Sequence, residues 1–209
     1  MIIVGAGAST RFGRDKLLTP VAGLPLVTHS VTTIRPTVDR CVLVHREDQR
    51  QRLASLSLDV DLVVGGATRT ESERAGLDAL DDQYDLIGIH DAARPLISVD
   101  LIEALFEAAD RFGGAIPVVT PRGPIVDRRT LQPVNGVGAA QTPQVFRSAF
   151  LREAFELAPN DALDVHDTAE LVQLHSNCSI AAVLGEPANL KVTYPEDTVR
   201  VAELLRRRS

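Results

Sequence analysis

Cysteine is nearly absent. Two residues in 209, Cys41 and Cys178, are too few for a disulfide framework. Free thiols in a reducing compartment are therefore expected, not a stapled secreted domain. Basic residues are in deficit as well. Lys+Arg number 22 against 28 Asp+Glu, a net charge of −6. That excludes a general nucleic-acid binder, because phosphate backbones demand a basic face. No apolar run approaches the ~20 residues that span a bilayer, so no membrane partner is expected. The opening MIIVGAGAST has neither a basic segment nor a cleavage site, and a cytoplasmic location is expected. Internal repeats and low-complexity tails are missing too. His29, His45 and His175 lack ligand spacing, so no zinc site is expected. What is present is an ordinary globule, 44% hydrophobic and 24% charged. At this length it buries roughly 70% of the unfolded surface without staples.

Short β-branched runs alternate with amphipathic stretches. The runs are Ile2–Val4, Cys41–Val44, Leu62–Val64, Leu86–Ile89, Ala115–Val119 and Ile180–Leu184. Between them, helices are expected near Leu24–Ile34, Asp48–Leu56, Arg69–Leu80, Val99–Phe112, Arg147–Leu157 and Asp167–His175. This alternation predicts an α/β fold, Rossmann-like, with a mostly parallel twisted sheet and helices on both faces. Ser98 is positioned to N-cap one helix, whose apolar stripe stops at Gly113-Gly114. A last helix has Pro195 at its start and Arg206–Arg208 at its end, where the macrodipole favours cations. One segment, Pro121–Gly138, is rich in Pro, Gly and Arg and lacks helical period. Such a length of loop predicts a projecting arm or a lid.

In open α/β sheets, ligands bind beyond the carboxyl ends of the strands. Four turns in this chain offer the chemistry. The first, Gly5-Ala6-Gly7-Ala8-Ser9 and onward to Lys16, lets backbone N–H groups approach an anion, with Arg11 and Lys16 to neutralise phosphate. Thr10 replaces the third glycine of a dinucleotide fingerprint, and Gly13 is followed by Arg14-Asp15, not by the Lys-Ser/Thr of a P-loop. The second, His90-Asp91-Ala92-Ala93-Arg94-Pro95, puts a carboxylate where Mg²⁺ is commonly held, with phosphate oxygens completing its shell. The third is Gly65-Gly66-Ala67-Thr68-Arg69-Thr70-Glu71-Ser72, a tight turn before a helix. In the fourth, Asn189-Leu190-Lys191-Val192-Thr193, a lone lysine follows an apolar strand. Together they suggest a site for a nucleoside triphosphate and Mg²⁺.

With GAGASTRFGRDK, GGATRTES, HDAARP, AQTPQVF and NLKVTYPED in this order, the sequence resembles the 2-C-methyl-D-erythritol 4-phosphate cytidylyltransferases from Ile2 to about Leu205. The resemblance implies a single nucleotidyltransferase domain over residues 1–209, with a dimerisation arm at about 120–139. It implies CTP and a small phosphorylated alcohol as substrates, Mg²⁺ as cofactor, and a homodimer. Residues Gly5, Ala6, Gly7, Ala8, Ser9, Gly66, Ala67, Arg69 and Ser72 would then bind the nucleotide. Arg11, Lys16 and Lys191 would be catalytic, Asp91 would hold the metal, and Asp91, Arg94 and Arg122 would meet the acceptor. The chain departs from the pattern in places. Val134 stands where the family has an acceptor-binding Arg, His166 where it has Thr, Asp15 where Pro is usual, and Val119-Thr120-Pro121 where Arg-Asp-Thr is usual. Arg122, Arg128 or Arg129 would replace the charge missing at Val134. Two alternatives stand beside this reading. One is a related nucleotidyltransferase for another polyol phosphate or a molybdopterin cofactor, suggested by Arg11–Val27; the other is a non-catalytic nucleotide-binding module.

Overall fold

The computed structural model describes residues 1–121, 123–158, 165 and 167–208. The expectations attached to Arg122 and His166 therefore lie outside the described residues. Ten strands are described: β1 (Ile2–Val4), β2 (Pro20–Val21), β3 (Leu24–Pro25), β4 (Val42–His45), β5 (Asp61–Val64), β6 (Leu86–Asp91), β7 (Gly113–Val119), β8 (Ala139–Ala140), β9 (Gln144–Arg147) and β10 (Ser179–Leu184). The helices are α1 (Leu26–Ile34), α2 (Arg50–Ala54), α3 (Arg69–Asp78), α4 (Val99–Phe112), α5 (Ser148–Leu157), α6 (Thr168–His175) and α7 (Asp197–Arg208).

The main sheet runs β10-β7-β9-β6-β1-β4-β5, with β8 paired to β7. Pairs β1·β4, β1·β6, β4·β5 and β7·β10 are parallel, while β9 is antiparallel to both β6 and β7. Alternate residues of each strand feed opposite faces, as the pleat dictates. Ile3 and Leu43 join α1 and α4 in one core, through Val27, Val31, Leu101 and Leu105. Ile2, Val42, Val44, Ile87 and Ile89 join α3, α5 and α6 in the other, through Leu77, Leu151, Phe155 and Leu171. The sheet is thus covered on both sides, as expected.

The helix ends follow the local chemistry. Thr68 Oγ1 accepts from the Glu71 N–H at 3.1 Å and the Glu71 carboxylate accepts from the Thr68 N–H at 3.1 Å, a reciprocal cap that starts α3. Ser98 accepts from the Leu101 N–H at 3.1 Å to start α4, and Asp167 accepts from the Glu170 N–H at 3.0 Å to start α6. Two expectations shift. The helix expected from Leu24 begins at Leu26, because Ala22 and Gly23 (φ +48° and +89°) turn the chain into the β2–β3 hairpin first. The run expected as one helix from Asp48 opens with a 3₁₀ turn over Glu47–Gln49.

Strand β9 was not foreseen. It is four residues long and lies between Pro143 and the start of α5, too short to show a period. It nonetheless sits mid-sheet, with Val145 in one core and the fully buried Phe146 in the other. Gly114 makes room for it, since a Cβ there would stand 2.8 Å from the Phe146 ring. Phe146→Ala should cost about 3–5 kcal/mol.

Of the stretch 120–139, the described residues form a narrow hairpin off the end of β7. Val126 bridges Pro133, the Val134 N–H donates to the Ile125 carbonyl at 2.8 Å, and Asp127 Oδ1 accepts from the Arg129 and Thr130 N–H groups, each at 2.8 Å. Its aliphatic side chains Ile125, Val126, Leu131, Val134 and Val137 are exposed.

Candidate active site

In the parallel half of the sheet the order β5-β4-β1-β6 reverses direction beside β1, so a crevice opens between the carboxyl ends of β1 and β6. A cleft of about 590 Å³ occupies that place. Its walls include Gly5, Ala6, Gly7, Ala8, Ser9 and Lys16 from the first turn, Gly66, Ala67, Arg69 and Ser72 from the third, and Asp91 and Lys191. Residues from near both ends of the chain are brought together.

Backbone bonds carry the ladder past the strand ends and aim these turns. The Gly5 N–H donates to the Val44 carbonyl, the Gly65 N–H to the His45 carbonyl and the Ala92 N–H to the Val4 carbonyl. Gly5 and Gly7 play different parts. A Cβ on Gly5 would lie 2.5 Å from Leu17 Cδ1 and 3.1 Å from the Val44 carbonyl, so packing requires glycine there. A Cβ on Gly7 would meet nothing within 4 Å, which leaves open space beside its backbone. Lys16 donates to the Val192 carbonyl at 2.9 Å and forms no ion pair with a carboxylate among the described residues. Burial, then the nearby Lys191 charge, lower its pKa. An anion entering the cleft would satisfy it.

Asp91 is the electrostatic centre. Its side chain is 7% exposed and carries three cations: Arg69 at 2.7 Å, Lys191 at 2.9 Å and Arg94 at 3.4 Å. Burial alone would raise its pKa, but Arg69, Lys191 and Arg94 outweigh that and hold the carboxyl well below the ordinary range. A hydrogen-bonded chain fixes its backbone. The Asp91 N–H donates to Thr142 Oγ1 at 2.9 Å, and Thr142 in turn contacts His90 Nδ1 at 3.2 Å. His90 Nε2 lies 3.1 Å from the Arg94 carbonyl, so the neutral ring donates there and accepts from Thr142. Burial pushes the His90 pKa down to about 4.

Arg69 has a second carboxylate, Glu73 Oε1 at 2.7 Å, one helical turn on. Glu73 is 2% exposed and accepts also from Thr168 Oγ1 of α6 at 3.0 Å. Its pKa is raised, by burial above all. Glu73, His90 and Thr142 had no role in the sequence reading. Arg69-x-x-x-Glu73 at (i, i+4) spacing was the available signal for the first. Arg46, at the end of β4, also lines the cleft unforeseen.

Arg94, Arg11, Arg128, Arg129 and Val134 stand apart from the wall. Arg94 is turned to the Asn189 carbonyl, at 2.9 Å, and braces Asp91 and the Lys191 segment. Arg11 is exposed and outside the wall, yet near enough to Lys16 to lower its pKa. Arg128, Arg129 and Val134 lie on the arm. Ser72 faces the cleft with its hydroxyl donating to the Thr68 carbonyl at 2.8 Å. The Ala67 N–H is already bound by the Glu71 carboxylate at 2.6 Å.

No cluster of three metal-ligating side chains occurs among the described residues. Asp91 offers one carboxylate at the cleft. This suits Mg²⁺, which takes one or two carboxylates and completes its shell with phosphate oxygens and water.

A glycine-rich turn and a cation-ringed carboxylate face each other across this sheet crevice, an arrangement suited to a phosphorylated nucleotide. A model of the 2-C-methyl-D-erythritol 4-phosphate cytidylyltransferase family matches residues 1–207, and the chain belongs to that family. It is 37% identical over 222 residues to the 2-C-methyl-D-erythritol 4-phosphate cytidylyltransferase of Cereibacter sphaeroides (strain ATCC 17023), covering 98% of this chain and 95% of that one. It is 38% identical over 210 residues to the bifunctional enzyme IspD/IspF of Granulibacter bethesdensis, covering 96% of this chain and 54% of that protein. The chain thus spans about half the length of its bifunctional relatives. The crystal structure of 2-C-methyl-D-erythritol 4-phosphate cytidylyltransferase from Thermus thermophilus superposes with a TM-score of 0.83 at 28% identity, covering 98% of each chain. No helix among the described residues is long and apolar enough to cross a membrane.

Proposed function

We propose that this chain transfers the cytidylyl group of CTP to 2-C-methyl-D-erythritol 4-phosphate and releases pyrophosphate. The observation that carries the reading is the pairing across one cleft of Lys16, a cation without a carboxylate partner among the described residues, with Asp91 and its three cations. A phosphate oxygen of the acceptor attacks the α-phosphorus, and the bond to the departing pyrophosphate breaks. That oxygen is already anionic near pH 7, so no side chain has to act as a strong base. Catalysis is then positioning and neutralisation of charge as it spreads onto the leaving group. Lys16 and Arg11 face the departing pyrophosphate, and Lys191 faces the reacting oxygens. Gly5 to Ser9 with Gly66, Ala67, Arg69 and Ser72 hold the nucleotide. Asp91 would hold Mg²⁺, which supplies further neutralisation of phosphate charge when bound. Arg94 keeps Asp91 and Lys191 in place beside the acceptor, where Arg122 is assigned as well.

The same reading takes residues 1–209 as one nucleotidyltransferase domain in the cytoplasm, working as a homodimer. The exposed aliphatic edge of the arm, from Ile125 to Val137, supports a second subunit as its cover. Arm cations Arg128 and Arg129 would then reach the partner's acceptor site. Pyrophosphate release should be measured with four triphosphates against several phosphorylated alcohols. CTP with methylerythritol phosphate should lead by more than tenfold. A preference for another pair would overturn the substrate assignment. In sedimentation, an arm-deleted chain should run as a monomer; a persistent dimer would remove the arm from assembly.

A further inference from the structure

The turn between β4 and α2, together with Arg52 of α2, grips the glycine-rich loop at both of its ends. At the near end, Arg46 donates to the Gly7 carbonyl at 3.3 Å while its guanidinium is held by Asp48 at 2.9 and 3.0 Å. At the far end, Asp15 accepts from Gln49 Nε2 at 2.9 Å and from Arg52 at 2.7 Å. Gln49 is fully buried and cannot swing away, because its Oε1 accepts from the Arg46 N–H at 2.9 Å. Between these ends the loop has one more mooring, the buried Phe12, packed against Leu26, Leu96, Val192 and Val201. The rest of the stretch from Thr10 to Arg14 is exposed. Lys16 follows Asp15 directly.

From this arrangement we infer that Asp15 is a positioning residue: through Gln49 and Arg52 it straps the nucleotide-binding loop to the β4–α2 turn and holds Lys16 at the cleft before nucleotide arrives. The inference rests on the cytidylyltransferase reading above and adds a residue to it that touches no substrate. A loop free to sample other conformations lowers the fraction of molecules ready to bind, and apparent affinity falls by that fraction. Once nucleotide is bound the loop is ordered by its ligand, so the chemical step is spared. The strap therefore acts on KM, and kcat changes little. A merely structural residue would instead lower Tm or reduce kcat and KM terms alike.

The test compares wild type with Asp15→Ala, Asp15→Asn and Arg52→Ala, using CTP with Mg²⁺ and methylerythritol phosphate. Asp15→Ala should raise the KM for CTP about tenfold with kcat within about twofold, for a loop ready in roughly a tenth of molecules. Asp15→Asn keeps an acceptor for Gln49 but loses the ion pair, and should raise KM about threefold. Hydrogen exchange of the peptide covering residues 5–19, without nucleotide, should speed up in Asp15→Ala while exchange in β1, β4 and β6 stays as in wild type. An unchanged KM with unchanged loop exchange would overturn the strap, as would a KM rise matched by an equal loss of kcat. Should Asp15→Ala not fold, Asp15→Asn and Arg52→Ala decide by the same two readouts. If wild type turns over no CTP, the activity reading falls, and loop exchange alone still decides whether Asp15 holds the loop.

Discussion

At the carboxyl end of β6, Asp91 is 7% exposed and pairs with three cations; on the arm, Leu131 is 72% exposed. The two regions show opposite ways of preparing a surface for a partner. In the cleft, charge is buried and neutralised internally, so a polyphosphate must exchange one set of ion pairs for another. Buried pairs of this kind add little net stability but are costly to break singly. On the arm, apolar surface is left in water, and a short hairpin with a turn around Asp127 gives it shape. The cleft is built by the whole fold, and the arm by its own few hydrogen bonds.

Within the cleft the sharpest contrast is between Lys16 and Lys191. Among the described residues Lys16 has no carboxylate partner, whereas Lys191 is paired with Asp91. Lys16→Ala should reduce turnover by about 10²–10³-fold, or ~2.7–4 kcal/mol of transition-state stabilisation, with the fold intact. Steady-state assays at saturating CTP check this. Wild-type turnover in Lys16→Ala would break the comparison.

A second test concerns how deeply the cleft's support is buried. His90 stays neutral in the fold, with its pKa lowered to about 4 by burial, while the unfolded chain titrates near ~6.5. Its contribution is complete above ~6.5 and is lost as pH falls toward 4, because the unfolded chain then binds the proton more tightly. The loss amounts to about 3 kcal/mol across that window. Urea unfolding of wild type and His90→Asn between pH 7 and 4 should show a flatter slope in the variant.

Much of this was legible in the chain. The alternation of β-branched runs and amphipathic segments located six strands within about two residues, and three of the helices start at local caps: Thr68, Ser98 and Asp167. The four turns carrying Gly7, Arg69, Asp91 and Lys191 could be picked out because each follows an apolar strand. What escaped depends on tertiary pairing. Strand β9 is a strand only because β6 and β7 flank it, and four residues carry no period of their own. Glu73 reads as a solvated helix charge until Thr168 of α6 and Arg69 are seen to enclose it. Arg94 is held by the Asn189 carbonyl and Asp91, contacts that only the folded chain shows.

Smaller effects separate the fold from the arm. Thr68→Ala removes the cap of α3 and should cost about 1 kcal/mol, read as a drop in Tm. Leu131→Ser on the arm should alter the unfolding free energy of the isolated subunit by less than ~0.5 kcal/mol, as exposed substitutions do. Urea titration at low protein concentration checks the second. A loss above ~1 kcal/mol there would mean that the arm packs on its own subunit.

The most direct test of the central claim is phosphorus NMR of CTP with the protein, Mg²⁺ and methylerythritol phosphate. The triphosphate signals should give way to a diphosphate diester and free pyrophosphate in equal amounts, and Lys16→Ala should slow this by about 10²-fold or more. CTP that stays intact, or is consumed at the same rate without the acceptor, would contradict it.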